Sequence, residues 1–281
     1  MTRSIPSLII VLSIALSACG FTGVGLPSKS LSSISENPGA AQTRELTVFA
    51  AASLTDAFEE IGNAFEAANP GVKVNFNFAG SQILRTQLEQ GAAADIYASA
   101  DHKNMDALIE ENLVIANSYQ DYTSNGLVVV LPPGNPAKLE SLKDLANPDI
   151  KLVLADESVP AGKYARQILF NMSQNPEYGK DFETDVLANV VSNETDIRQV
   201  VTKVELGEAD AGIVYVSDAV AAPELITIPI PVQFNIIAKY PIAILANSSN
   251  PGLAGSFIAY LISPAGQAIL DKWGFNPIIP K

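Results

Sequence analysis

The stretch Thr47-Val-Phe-Ala-Ala-Ala-Ser-Leu-Thr-Asp56 decides how the rest of the chain is read. An apolar run suited to a buried strand gives way to three alanines and then to Ser53. That serine stands where the cap of a following helix belongs, with Asp56 three positions on as in a capping box. Leu54, Ala57, Phe58, Ile61, Ala64, Phe65 and Ala68 recur at helical spacing and predict an amphipathic helix. Asn69-Pro70-Gly71 ends it. A strand that feeds a helix through small residues opens a βα unit, and the free amide groups of the helix's first turn face whatever lies beyond the strand.

The same pattern repeats along the chain. Strands are expected over 45–50, 73–78, 95–99, 125–131, 151–155 and 211–216, and over 234–245 with an interruption at Lys239-Tyr240-Pro241. Helices are expected from 53, over 81–90 and 104–111, after Gly162, and over 196–206, 251–261 and 264–272, with short ones at 141–146 and 217–222. The polar segment 173–185 takes no assignment. Such alternation indicates an α/β fold of mostly parallel sheets flanked by helices. The βα pattern comes in two blocks with a last strand and helices left over. This predicts two lobes joined by two hinge crossings, lobe 1 from 44–124 plus 235–281 and lobe 2 from 125–234, built to close on a ligand.

At 281 residues and 48% hydrophobic, the chain is long enough for two such lobes. Its net charge of −13 and pI near 4.5 argue against nucleic acid or an anionic membrane surface as the main partner. Arg3, an apolar run over 5–16 and Leu16-Ser17-Ala18-Cys19 have the form of a targeting segment, too short to span a bilayer. Residues 1–18 are therefore expected to be a signal peptide of the bacterial lipoprotein type, with Cys19 as the lipid-bearing residue. Residues 19–43, rich in Ser, Gly and Pro, are expected to be a tether. A single cysteine excludes an internal disulfide.

Catalytic options are few. His102 is the one histidine, no paired-histidine or cysteine spacing for a metal is present, and neither a Gly-x-Ser-x-Gly elbow nor a phosphate-binding P-loop occurs. An enzyme on this scaffold would have to recruit His102. Against that stands a recurrent feature, a strand running through small residues into a helix start, at Ala52-Ser53, Gly80-Ser81, Pro160-Ala161-Gly162 and Glu194-Thr195-Asp196-Ile197. Open α/β sheets bind ligands beyond the carboxyl ends of their strands, where helix N-termini offer N–H groups suited to an oxyanion.

Phe49-Ala-Ala-Ala-Ser-Leu-Thr55, Gly91-Ala-Ala-Ala-Asp-Ile-Tyr-Ala-Ser-Ala-Asp101, Val159-Pro-Ala-Gly162, Gly212-Ile-Val-Tyr215 with Ser217-Asp218-Ala219, and Trp273-Gly-Phe275, in this order, resemble the periplasmic molybdate-binding proteins of ABC transporters. The resemblance runs from Glu45 to the end of the chain. It implies a type II periplasmic-binding fold and a site for molybdate or tungstate made of neutral donors. By that resemblance Ser53 and Ser81 donate through hydroxyl and N–H groups, Ala161 and Ile197 through backbone N–H groups, and Tyr215 through its phenol. No cofactor is implied, and the metal is held through its oxygens only. The second loop reads Gly80-Ser81-Gln82 where the family often carries a further serine, and the stretch between Gly162 and Asp196 is longer than is usual. Gln82, Glu194 and Asp196 border the expected site without being assigned to it, the two acids being read as helix-start residues.

The resemblance further implies a monomer that delivers its anion to a membrane permease from the outer face of the cytoplasmic membrane. Sulfate is the alternative ligand, since it has the same charge and shape at smaller size.

Overall fold

The computed structural model of the chain describes residues 43–278. The expected signal peptide, Cys19 and all but the last residue of the tether lie outside the described residues. The chain begins with β1 (Arg44–Ala51), a 3-10 turn (Ala52–Leu54) and α1 (Thr55–Ala68). It continues through β2 (Val72–Ala79), α2 (Ser81–Glu89), β3 (Ile96–Ala98), α3 (His102–Glu110) and β4 (Gln120–Asn125). Next come β5 (Leu127–Leu131), a second 3-10 turn (Leu142–Ala146), β6 (Leu152–Ala155), α4 (Pro160–Ser173), α5 (Phe182–Ala188) and β7 (Val190–Glu194). They are followed by α6 (Ile197–Glu205), β8 (Ala211–Tyr215), α7 (Val216–Ala221) and β9 (Ile226–Pro229). The chain closes with β10 (Ala238–Ile244), α8 (Pro251–Ile262), α9 (Pro264–Lys272) and β11 (Asn276–Pro277).

These strands form two sheets, one in the order β11-β4-β10-β3-β1-β2 and one in the order β7-β6-β8-β5-β9. Alternation along β1 builds both faces of the first. Leu46, Val48 and Ala50 join Phe58, Ile61 and Phe65 of α1 and Phe257 of α8 on one side. Phe49 joins Leu84, Leu88, Met105 and Leu108 on the other. In the second sheet every residue of β5, β6 and β8 is buried, as expected of strands covered on both faces.

The sheets are mixed rather than mostly parallel. β1 runs parallel to β2 and β3, but β10 is antiparallel to both β3 and β4. β6 runs parallel to β7 and β8, but β5 is antiparallel to β8 and β9. The reason is the route of the chain. β5 and β10 each enter a sheet from the other one, so they start at the cleft and run away from it, opposite to the strands whose carboxyl ends lie there.

The first passage between sheets is Gly126 alone, and the second is the segment 230–237. Asn235 ties the two together: its Oδ1 accepts the Leu127 N–H at 3.1 Å and its Nδ2 donates to the Leu127 carbonyl at 2.8 Å.

Five elements are absent from the sequence reading: β4, α5, β7, β9 and β11. β7 and β9 are edge strands with half or more of their residues outside the core, and β4 spells Gln-Asp-Tyr-Thr-Ser-Asn. Strands of this kind carry no clear apolar alternation.

One close approach fixes the entry to α4. A Cβ on Gly162 would lie 2.1 Å from the Asp156 carbonyl oxygen and 2.3 Å from that of Ala155. Gly162→Ala is therefore expected to force the β6–α4 turn apart and cost about 2–3 kcal/mol of stability, read from the urea midpoint.

Candidate functional site

Ser53, Ser81, Ala161, Ile197 and Tyr215 line one pocket, together with Ala51, Ala52, Gly80, Ala100, Val159 and Pro160. Its cavity volume, counted as room for the centres of water-sized spheres, is about 10 Å³. The residues come from the carboxyl ends of β1, β2, β3, β6, β7 and β8 and the turns that follow, so both sheets contribute. Among the described residues, no carboxylate, lysine or arginine side chain lines it.

Three helices begin at the pocket wall. Ser81 is the first residue of α2, Pro160 and Ala161 open α4, and Ile197 opens α6. The first amide groups of a helix have no partner within it, and the summed peptide dipoles place partial positive charge there. Pro160 suits the first position of α4 because an N–H there would be unpartnered in the helix anyway. The small residues Ala51, Ala52, Gly80 and Ala100 leave these backbone groups accessible to a ligand.

Ser53 does not cap α1. It sits within the 3-10 turn, α1 starts at Thr55 after Leu54, and neither end carries a side-chain cap. Its Oγ lies 3.0 Å from the hydroxyl of Tyr240 instead. Asp56 likewise makes no capping box; it forms an ion pair with Arg198 of α6. The tight turn moves the helix start two residues beyond Ser53 and turns the serine inward, where it is buried. Ser81 Oγ accepts the Ala100 N–H at 3.0 Å and its carbonyl accepts the Tyr97 hydroxyl at 2.8 Å. With one lone pair of Oγ occupied, the hydroxyl proton of Ser81 is free to be donated into the pocket.

Tyr215 is 1% exposed, and its hydroxyl has no hydrogen-bond partner among the described residues. A buried hydroxyl without a partner is unfavourable by about 1–3 kcal/mol, so an acceptor in the pocket would relieve it. Burial pushes the phenols of Tyr215 and Tyr240 well above their ordinary value, so both stay protonated and able to donate. The two rings pack edge to face at 5.7 Å.

The remaining candidates lie elsewhere. Gln82 Nε2 donates to the Thr195 carbonyl at 2.9 Å, joining α2 to the turn before α6. Asp196 caps α6 by accepting the Gln199 N–H at 3.2 Å. Glu194 receives Lys203 Nζ at 2.6 Å; burial opposes its ionisation, but Lys203 and the Ser192 hydroxyl outweigh it and hold the carboxyl below its ordinary value. His102 opens α3 away from the pocket, with Nε2 2.9 Å from Asp121 and Nδ1 bonded to Tyr119. An enzyme on this scaffold loses its best group.

Three residues around the pocket escaped the sequence reading: Tyr240, Arg198 and Asp218. Tyr240 could have been found, since a tyrosine before proline interrupts an otherwise apolar run. Nothing local marks Arg198, and Asp218 stands out only as part of the segment Ser217-Asp218-Ala219, without a role. Asp218 is fully buried, accepts the Tyr215 N–H at 3.1 Å and lies 3.8 Å from Arg198. Burial pushes its carboxyl up to about 7, against the pull of Arg198.

A family model described as bacterial extracellular solute-binding protein matches residues 46–276. The molybdate-binding protein ModA of Mycobacterium tuberculosis is 40% identical over 262 residues, covering 93% of this chain and 94% of that protein. Among solved structures, the sulfate-binding protein SubI of Mycobacterium tuberculosis aligns with a TM-score of 0.76 at 20% identity, over 84% of this chain and 88% of that one. The periplasmic molybdate-binding protein of Azotobacter vinelandii aligns with a TM-score of 0.71 at 20% identity, over 84% and 100%. The fold is the two-lobed one of these periplasmic binding proteins. The chain belongs to the bacterial extracellular solute-binding proteins and, among them, to the family of molybdate-binding proteins. It is a binding component of transport, not an enzyme.

The raised carboxyl of Asp218 has a sign that can be checked. Between the unfolded value near 4 and the folded value of about 7 the native chain holds a proton that the unfolded chain does not, so stability falls as pH rises through that window. Asp218→Asn keeps an acceptor for the Tyr215 N–H and removes the titration. Relative to wild type it should gain about 1 kcal/mol or more between pH 5 and pH 8, measured by urea unfolding at both pH values.

Proposed function

We propose that the chain captures molybdate or tungstate in this pocket and delivers it to the permease of an ABC transporter. The observation that carries the reading is the pocket's chemistry: hydroxyls and helix N-termini from both sheets, a buried unpartnered Tyr215 phenol, and no charged side chain on the wall. A tetrahedral dianion accepts hydrogen bonds and donates none, so a cage of neutral donors matches it. A phosphate that keeps one proton would call for an acceptor such as a carboxylate, and none lines the pocket. Neutral dipoles fixed in place discriminate by geometry more than a mobile lysine or arginine would. The mycobacterial relative named as a molybdate-binding protein supports the same ligand.

In this reading Ser53 and Ser81 donate from the first lobe, residues 44–124 plus 235–281. Ala161, Ile197 and Tyr215 donate from the second, residues 125–234. The lobes close about Gly126 and the segment 230–237. The hydroxyls of Tyr240 and Ser53 lie 3.0 Å apart, which orients the serine, and with Tyr240 as the donor the serine proton is left for the anion. Cys19 anchors the monomer by lipid to the outer face of the cytoplasmic membrane, with 19–43 as the tether.

Calorimetric titration of the chain with molybdate, tungstate, sulfate and phosphate tests the proposal. Molybdate and tungstate should bind more tightly than sulfate, and phosphate should give no heat. A hydrogen bond to a charged partner contributes about 1.5–3 kcal/mol, so Ser53→Ala and Ser81→Ala should each weaken molybdate binding roughly tenfold or more. Heat from sulfate alone, or full molybdate affinity in both variants, would overturn the assignment.

A further inference from the structure

Outside the pocket wall, the first turn of α6 is held to the first lobe on both sides of Ile197. On one side Gln82 Nε2 donates to the carbonyl of Thr195 at 2.9 Å. On the other, the guanidinium of Arg198 pairs with Asp56 of α1, and its Nε lies 3.4 Å from the carbonyl oxygen of Ala52. Thr195 lies between β7 and α6 and Arg198 is the second residue of α6, both on the side of the second sheet. Gln82, Ala52 and Asp56 belong to elements of the first. The fit between the two sides is close: a Cβ on Gly80 would lie 2.6 Å from the Thr195 carbonyl oxygen.

We propose that Arg198, with Gln82 opposite it, is a closure clasp: a positioning residue that holds the first turn of α6, and with it the Ile197 amide, against the first lobe whenever the lobes are closed. The role rests on the oxyanion reading above, but the contacts that define it use none of the groups assigned to the oxyanion. Arg198 is well suited to it. Its planar fork can engage a carboxylate and a carbonyl together. Its charge is matched by Asp56, with Asp218 3.8 Å away on the other side, and Arg198 does not line the pocket. A cation beside an anion site would otherwise attract any anion. Here it is spent between the lobes, so closing strength and ligand choice are separate functions of neighbouring residues, Arg198 for the first and Ile197 with the serines for the second.

The clasp predicts a kinetic signature. Arg198→Met keeps the side chain's length without its charge, and Asp56→Asn removes the partner. In the full chain each should raise the molybdate dissociation rate roughly tenfold, measured by stopped flow, because the closed state loses a charge-assisted contact. The ratio of molybdate to sulfate affinity should not change, and the double variant should be no worse than the worse single one. Hydrogen-exchange mass spectrometry supplies a readout that does not need the ligand: Arg198→Met should speed exchange over 195–199 and 80–83 relative to wild type, in the absence of added anion as well. A change in the molybdate-to-sulfate ratio would make Arg198 a ligand contact and overturn the clasp. Unchanged dissociation together with unchanged exchange would overturn it too. If wild type binds no molybdate while the exchange difference persists, the clasp stands and the ligand assignment falls.

Discussion

The chain passes between its two sheets twice, and the pocket depends on those passages. Because Gly126 and the segment 230–237 lie side by side, stapled by Asn235 to Leu127, the carboxyl ends of β1, β2, β6, β7 and β8 are turned toward one another instead of outward. Each of these strands delivers a tight turn to the same place, and three of the turns open helices whose first amide groups have no partner of their own. A single sheet would offer such groups along one edge only. Two sheets facing across a hinge surround a ligand with them, which a tetrahedral anion requires.

Neutral donors around one pocket, inside an acidic protein, raise the question of how charge is kept in hand. The wall itself is uncharged, and the ionisable groups behind it are paired or held neutral. Glu194 is held by Lys203, Arg198 stands between Asp56 and Asp218, and burial favours the protonated form of the Asp218 carboxyl. The net charge of −13 is thus a property of the surface and has little hold on the cleft, where local dipoles act at short range through a poorly screened interior.

Much of this was legible in the sequence, for identifiable reasons. Long amphipathic helices and fully buried strands announce themselves by period, as with α1 and β5. The five pocket residues were placed by a run of matching segments that no single motif could have supplied. What was not legible depends on partners remote in sequence. Ser53 has every local mark of a helix cap, yet its hydroxyl is engaged by Tyr240, 187 positions away. Asp56 reads as the other half of that cap and instead reaches Arg198. The mixed direction of the sheets was hidden for the same reason: strand direction follows from where the chain enters each sheet, and local pattern carries no record of the route. β7, the strand that leads to Ile197, is a half-exposed edge strand, so the helix start after it was seen without its support.

The position of β10 has a consequence for how the chain comes to be folded. It lies between β3 and β4, at the centre of the first sheet, although it is made after the whole of the second sheet. Until it arrives, β4 has no neighbour joining it to β3, and Tyr240 is not there to meet Ser53. The second sheet suffers no such delay, since all of its strands fall within 127–229. Growth from the N-terminus therefore produces an incomplete first layer, then a self-sufficient second one, and only with the last segment a finished first. A binding cleft therefore exists in this molecule only once its last segment has joined the first sheet.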